Sequence, residues 1–300
     1  DVPVDGLGAD PVADRFQRML DVAIALAPRL PGGLARGNAL DLWAEEVDHV
    51  LDEPPEEGER PGELVPEAEA IIQGVGEALG SRSSDLYHAI VDIGAGTTDV
   101  GWFKLVERKL EDRLPFFAAR TTEVGCNDVD ERLAELVSDG NQELDDAVRR
   151  RLVGIKSELL SGKESTVVVD GESVTIESND LEQAAEKIAP KIYNHYSETF
   201  APAYRKEKNT DRWERIRAVV VGGGSLIPAL RRPFRDHPRK FGKSVDLIDL
   251  STEMRLKTAG ASKRPPSESE TPFLTAALGL STPIEAMPRA ILPKDIDPLS

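Results

Sequence analysis

The chain has a single cysteine, Cys126, in 300 residues. An intrachain disulfide is therefore excluded, and a cysteine-ligated metal site has too few ligands. No apolar run is long enough to span a bilayer, and the first residues lack the basic and apolar stretch of a secretory signal. Positive charge is also scarce. Lys and Arg number 37 against 54 Asp and Glu, which leaves a net charge of −17. A surface so acidic repels phosphate backbones, so a general nucleic-acid-binding face is not expected. The four histidines, His49, His88, His195 and His237, have no metal-ligand spacing. There are no internal repeats. A reducing cytoplasm is the expected compartment.

A hydrophobic fraction of 40% over this length is enough for two lobes with a substantial core. Asp10-Pro11 reads as a helix start, with Phe16, Met19, Leu20, Ala23 and Leu26 at helical spacing behind it. Further helices are predicted over 39–51 and from about Pro66 to Leu79, separated by a proline- and glutamate-rich loop at 53–62. Strands follow at 87–93, 98–106 and 114–122, then helices at 127–138 and 142–160. The second of these carries a stripe of Leu144, Val148, Leu152, Ile155 and Leu159. Asp170-Gly171 lies between two alternating runs, 165–170 and 173–178, and predicts a hairpin. A long helix begins near Asn179. It is followed by a strand at 216–221, a helix near Ile227 and a strand at 245–248. Residues 251–270 read as a mobile insertion and 272–280 as a last short helix. The proline-rich stretch 283–300 reads as a loosely attached tail. Long helices mixed with three strands in hairpin order predict an α/β fold built on a mixed sheet.

Chemistry concentrates in residues 91–101, Val-Asp-Ile-Gly-Ala-Gly-Thr-Thr-Asp-Val-Gly. A strand enters a turn of Gly94, Ala95, Gly96 and Thr97, and a second strand leaves it. Glycine lets backbone N–H groups converge on anionic oxygens without a Cβ in the way. Thr97 and Thr98 add hydroxyls. Asp92 and Asp99 flank the turn and could hold hydrated magnesium, a hard cation that prefers oxygen ligands. On these residues alone, an ordinary tight hairpin remains the alternative. Residues 219–228, Val-Val-Val-Gly-Gly-Gly-Ser-Leu-Ile-Pro, repeat the theme. An apolar strand ends in Gly222, Gly223 and Gly224 and opens a helix, the arrangement that seats ligands beyond the carboxyl ends of strands in open α/β sheets. A plain strand-to-helix turn is the alternative there.

With both clusters in place, the chain resembles the superfamily of actins, heat-shock chaperone ATPases and sugar kinases, over about residues 60–282. Val91–Gly101 is similar to that superfamily's second phosphate loop and Val219–Leu230 to its adenosine loop. Thr122–Leu133 resembles the segment that opens the upper subdomain of the second lobe in the chaperone branch. Ile155–Ser161 resembles the chaperone helix that lies over the adenosine. Pro66–Gly76 resembles the inter-lobe helix, and Phe273–Gly279 the C-terminal return helix. The resemblance implies a ribonuclease H-like mixed sheet with flanking helices. It divides the chain into the rest of a first lobe and the inter-lobe helix (1–85), the nucleotide-binding core of a second lobe (86–122 and 193–282), an upper subdomain (123–192) and the tail (283–300).

It also implies ATP or ADP and Mg2+ as ligands. Gly94, Ala95 and Gly96 would let the backbone approach the β- and γ-phosphates, and Thr97 and Thr98 would donate to them. Asp92 would orient metal-bound water, which makes Asp92 and Thr97 the candidate catalytic residues. Gly125 would approach the ribose or the phosphates, with Asn127 nearby, and Lys156 would sit over the nucleoside. Gly222, Gly223 and Gly224 would pass under the base, with Ser225 and Leu226 beside them.

Four departures bear on this expectation. The superfamily's first phosphate loop, an Asp-x-Gly-Thr hairpin, has no counterpart here, since Asp5-Gly6-Leu7-Gly8 lacks the hydroxyl and the flanking strands. The chain is therefore expected to be the C-terminal part of a longer protein. Val65 stands where chaperones place a glutamate, with Glu63 or Glu67 as possible substitutes. Leu226 stands where they place an arginine that stacks on adenine. Cys126 replaces a glycine on the ribose side. The expected function is an ATP-binding and ATP-hydrolysing chaperone-like protein in which nucleotide closes two lobes onto each other, acting on a protein client or regulatory partner. The alternatives are an actin-like filament-forming ATPase and a degenerate nucleotide sensor or scaffold. The sequence leaves the oligomeric state open.

Overall fold

Tyr87–Ile93 is apolar at almost every position. A strand with that pattern belongs in the middle of a sheet, covered on both faces. In the computed structural model it is strand β1 (Tyr87–Ile93), buried along nearly its whole length. The structure describes residues 67–79, 87–104, 113–206, 215–236, 244–247 and 289–291. The expected helices at 10–26, 39–51 and 272–280, the loop at 53–62 and the insertion at 251–270 lie outside them. The chain divides into two compact units, Asp1–Glu67 and Ala68–Ser300. Apart from Glu67, the described residues all belong to the second.

Its elements, after helix α1 (Glu67–Leu79) and β1, are β2 (Thr98–Lys104), β3 (Arg113–Thr122), α2 (Cys126–Ser138), α3 (Gln142–Leu160), β4 (Ser165–Val169), β5 (Glu172–Ile176), α4 (Ser178–Lys206), β6 (Arg215–Val221), a 3-10 turn (Gly223–Leu226), α5 (Pro228–Asp236), β7 (Ser244–Leu247) and β8 (Arg289–Ile291). Six strands form one sheet in the order β7-β6-β1-β2-β3-β8. Strand β2 is antiparallel to β1 and β3, whereas β1 is parallel to β6, β6 to β7 and β3 to β8. The five strands β3-β2-β1-β6-β7, with β2 alone reversed, have the ribonuclease H-like order expected from the sequence.

One face of this sheet carries Tyr87, Ala89, Val91 and Ile93 of β1, Val100 and Trp102 of β2, and Ile216, Ala218 and Val220 of β6. Helix α4 lies over β2 and β3 and packs against α2 and α5. Trp102 meets Tyr196 and Phe200 of α4, each with ring centroids 4.8 Å apart, and Phe234 of α5 stands edge-on to Tyr196 at 5.1 Å. Large aromatic rings account for much of the apolar area removed from water here. On the opposite face His88 stacks on Phe103 at 5.3 Å, which places it in the core.

The predicted stripe of α3 is real: Leu144, Val148, Ile155 and Leu159 are buried, and Asn141 caps the helix by accepting from the N–H groups of Glu143 and Leu144. Strands β4 and β5 pair separately as a two-stranded sheet, and β4 packs on α3. Their turn places Asp170 and Gly171 at φ 53° and 82°, the left-handed backbone that Asp-Gly hairpins require. The loosely attached tail is corrected in part. Residues 289–291 form β8 and pair in parallel with Arg113–Pro115, because the outer edge of β3 offers unpaired backbone groups to any strand that reaches it. Among the described residues, no helix is long and apolar enough to cross a membrane.

Candidate functional site

Because β1 and β6 are parallel and Asp92 is in register with Val221, their carboxyl ends finish side by side. Both glycine turns therefore meet at one end of the sheet, where open α/β sheets bind ligands.

The first turn joins β1 to β2 and is closed by one backbone hydrogen bond, Gly94 N–H to the Thr97 carbonyl at 2.9 Å. Its outer carbonyls are taken by the start of α2. Cys126 N–H donates to Gly94 O at 3.0 Å, and Asn127 N–H donates to Ala95 O at 2.7 Å. The hairpin tip thus satisfies two helix N-terminal donors that would otherwise need water or a ligand. Gly125 makes this seat possible, since a Cβ there would stand 2.6 Å from the Ala95 oxygen. Its N–H donates to Asp128 Oδ2 at 2.9 Å, which makes Asp128 a capping residue. The donors left over are on the tip itself. Ala95 and Gly96 are exposed, and among the described residues their N–H groups have no acceptor.

The two hydroxyls expected to serve phosphate part company. Thr98 is fully buried and donates to the Val124 carbonyl at 2.7 Å. A hydroxyl has one proton to give, and in Thr98 that proton ties β2 to the segment ahead of α2. Thr97 is half-buried, and its hydroxyl makes no hydrogen bond among the described residues.

The second turn starts at Gly222, at φ 76°. A Cβ there would collide with Asp92 Oδ1 and stand 2.5 Å from the Ile93 carbonyl oxygen. At Gly224 a Cβ would run into the Ile93 side chain and come within 3.2 Å of Cys126 Sγ. Ser225 is buried and donates to Gly222 O at 2.7 Å, so its hydroxyl closes the turn. Gly223 and Leu226 remain half-exposed.

Between the turns lies Asp92. It is the cross-strand partner of Asp99, which in turn is opposite Thr121, and the Thr121 hydroxyl donates to Asp99 Oδ1. Burial, and then the neighbouring Asp99 charge, raise the Asp92 carboxyl to about 6. Behind this pair, Lys156 of α3 reaches Asp130 of α2 at 2.7 Å. Lys156 is thus anchored rather than free over the site. Burial pushes the Cys126 thiol up to about 11. Lys156 pulls it the other way, and Asp130 and Asp92 add to the rise. The thiol is therefore protonated at neutral pH and a poor nucleophile. Asn127 is exposed beside Gly96, with its side-chain nitrogen 3.7 Å from where a Gly96 Cβ would be. Arg149 pairs with Asp145 at 2.6 Å, as its spacing suggests, and Arg151 donates to the Thr166 carbonyl.

The structure thus brings Asp92, the 94–97 tip, Asn127, Cys126 and the 222–226 turn together. Sequence reasoning missed the Asp130 partnership of Lys156 and the contact of Thr121 with Asp99. Only the strand register could have exposed the second, because residues 99 and 121 are brought together by pairing alone.

No protein-family model and no curated protein matches the chain. Among solved structures that resemble it is one described as "pCBH ParM non-polymerisable quadruple mutant". It is 14% identical, with a TM-score of 0.44, and the match covers 73% of this chain and 55% of that one. The chain therefore spans about half the length of that structure.

Proposed function

We propose that the chain forms the nucleotide-binding lobe of an ATP-binding, ATP-hydrolysing protein of the actin, chaperone ATPase and sugar kinase superfamily, on its chaperone-like side. One observation carries this reading: two glycine turns from parallel neighbouring strands meet on one desolvated carboxylate, Asp92, beside a tip with unused backbone donors. The Ala95 and Gly96 amides and the Thr97 hydroxyl would take phosphate oxygens. Asn127 and the anchored Lys156 would flank the ribose, and Gly223 and Leu226 would lie against the base.

Asp92 and Asp99 fit Mg2+. That ion keeps several waters and uses one or two carboxylates together with substrate phosphates, and among the described residues no third acidic, cysteine or histidine side chain joins the pair. Bound there, Mg2+ would neutralise phosphate charge in a chain whose net charge of −17 otherwise repels it. The protein's own part is positioning: the tip orients the phosphates and Asp92 orients water. Closure onto nucleotide in a cytoplasmic protein, read by a client or partner, would be the output.

Calorimetry with ATP and Mg2+ tests the reading. Heat of binding that requires Mg2+ supports it, and its absence, with the protein shown to be folded, sinks it. Light scattering with and without ATP then separates a chaperone-like output, with no polymer, from a filament.

A further inference from the structure

Four strands contribute one row across the sheet: Val221 on β6, Asp92 on β1, Asp99 on β2 and Thr121 on β3. Residues directly opposite in antiparallel strands have Cβ atoms about 5 Å apart. Two carboxylates at that separation repel each other, and Gly222 pressed against Asp92 leaves that side chain little room to move. Asp99 is the member that could turn away. The Thr121 hydroxyl, donating to Asp99 Oδ1, opposes that turn. A valine at 121 would serve the sheet as well by shape and strand propensity, but it could not hold a carboxylate.

We propose that Thr121 is a positioning residue, holding the Asp99 carboxylate beside Asp92 so that the pair forms the oxygen platform for the divalent cation that accompanies the nucleotide. The inference rests on the nucleotide-binding reading and adds to it a residue that touches neither nucleotide nor metal. Its chemistry is that of an outer-shell hydrogen bond, which orients a ligand and keeps it in the geometry the cation needs.

The test is the melting temperature of the 300-residue chain in ATP as Mg2+ is added. In the wild type, the nucleotide-induced rise should follow Mg2+. Thr121→Val should move the Mg2+ concentration for half the rise upward by about tenfold, in the range measured for outer-shell partners. Thr121→Ser, which keeps the hydroxyl, should restore it. An unchanged Mg2+ dependence in Thr121→Val would overturn the inference while leaving nucleotide binding standing. If that variant does not fold, Asp99→Asn takes its place and should show the same upward shift, with no shift again counting against the idea. A wild-type chain whose melting ignores ATP and Mg2+ together would remove the nucleotide-binding reading, and this inference with it.

Discussion

The two glycine turns look alike in sequence and differ in what they do. The tip at Gly94–Thr97 is open: Ala95 and Gly96 are exposed, and a Cβ at Gly96 would meet only the Asn127 amide, at an ordinary 3.7 Å. The turn at Gly222–Leu226 is shut on its inner side, with Gly223 and Leu226 half-exposed on the other. Gly222 is pressed on Asp92 and Ile93, and Gly224 on Ile93 and Cys126. Glycine in the first keeps backbone donors approachable, whereas in the second it lets two strands and a helix pack without a gap. A glycine-rich loop is therefore not evidence for a ligand until its neighbours are known. Here one loop faces outward and the other supports the carboxylate beside it.

Gly222→Ala should break the comparison most strongly. The new methyl meets backbone at 2.5 Å from the Ile93 oxygen, and φ is 76°. Overpacking and left-handed strain together should cost about 3 kcal/mol, read as a lowered denaturant midpoint. Gly171→Ala is the control. Its φ is 82°, but nothing lies within 4 Å, so only the strain of about 1 kcal/mol should appear. Equal costs at the two positions would mean that Gly222 is not packed as described.

Asp92→Asn should act in the opposite direction. The folded carboxyl titrates at about 6, against 3.8 ordinarily. The native state thus holds its proton more tightly than the unfolded chain, and stability falls as pH rises through that window and stays reduced above it. Removing the charge should recover up to about 3 kcal/mol at neutral pH and abolish Mg2+-dependent nucleotide binding. The stability difference between variant and wild type should grow from pH 4 to pH 6 and then level off. A variant that is less stable than wild type at neutral pH would show that Asp92 is satisfied by the protein alone.

Thr98→Val should cost about 1–2 kcal/mol, because the Val124 carbonyl loses its donor in a partly buried site. Nucleotide affinity, measured by calorimetry, should not move. A loss of affinity larger than the loss of stability would return Thr98 to the site.

Much of this was legible in the chain. The stripe of α3, the Asp170-Gly171 hairpin and the apolar runs of β1 and β6 follow from local periodicity, and the sheet order follows from the resemblance those elements carry. The roles of Thr98 and Ser225 were not legible. A hydroxyl beside a glycine turn reads the same whether it faces solvent or donates to the Val124 or Gly222 carbonyl, and only burial separates the two cases. Strand β8 was hidden for another reason. A three-residue strand directly after Pro288 has no periodicity to detect, and its pairing depends on the free edge of a strand far away in sequence.

Gly96→Ala carries the smallest expected change in stability and the sharpest test of the open turn. Gly96 is not in a left-handed conformation, and its nearest neighbour is 3.7 Å from the new Cβ. The folded state should accept the methyl group within about 0.5 kcal/mol, and the stiffer unfolded chain could even favour it. Yet the methyl would stand on the exposed tip, where phosphate must come within hydrogen-bonding distance of the Ala95 and Gly96 amides. Those bonds are charge-assisted and short, and pushing the anion outward by part of an ångström weakens both. Binding of ATP with Mg2+ should fall by about tenfold, equivalent to about 1.4 kcal/mol, while the denaturant midpoint barely moves. If affinity is unchanged, the tip is only a hairpin, and the phosphates, if they bind at all, are held elsewhere.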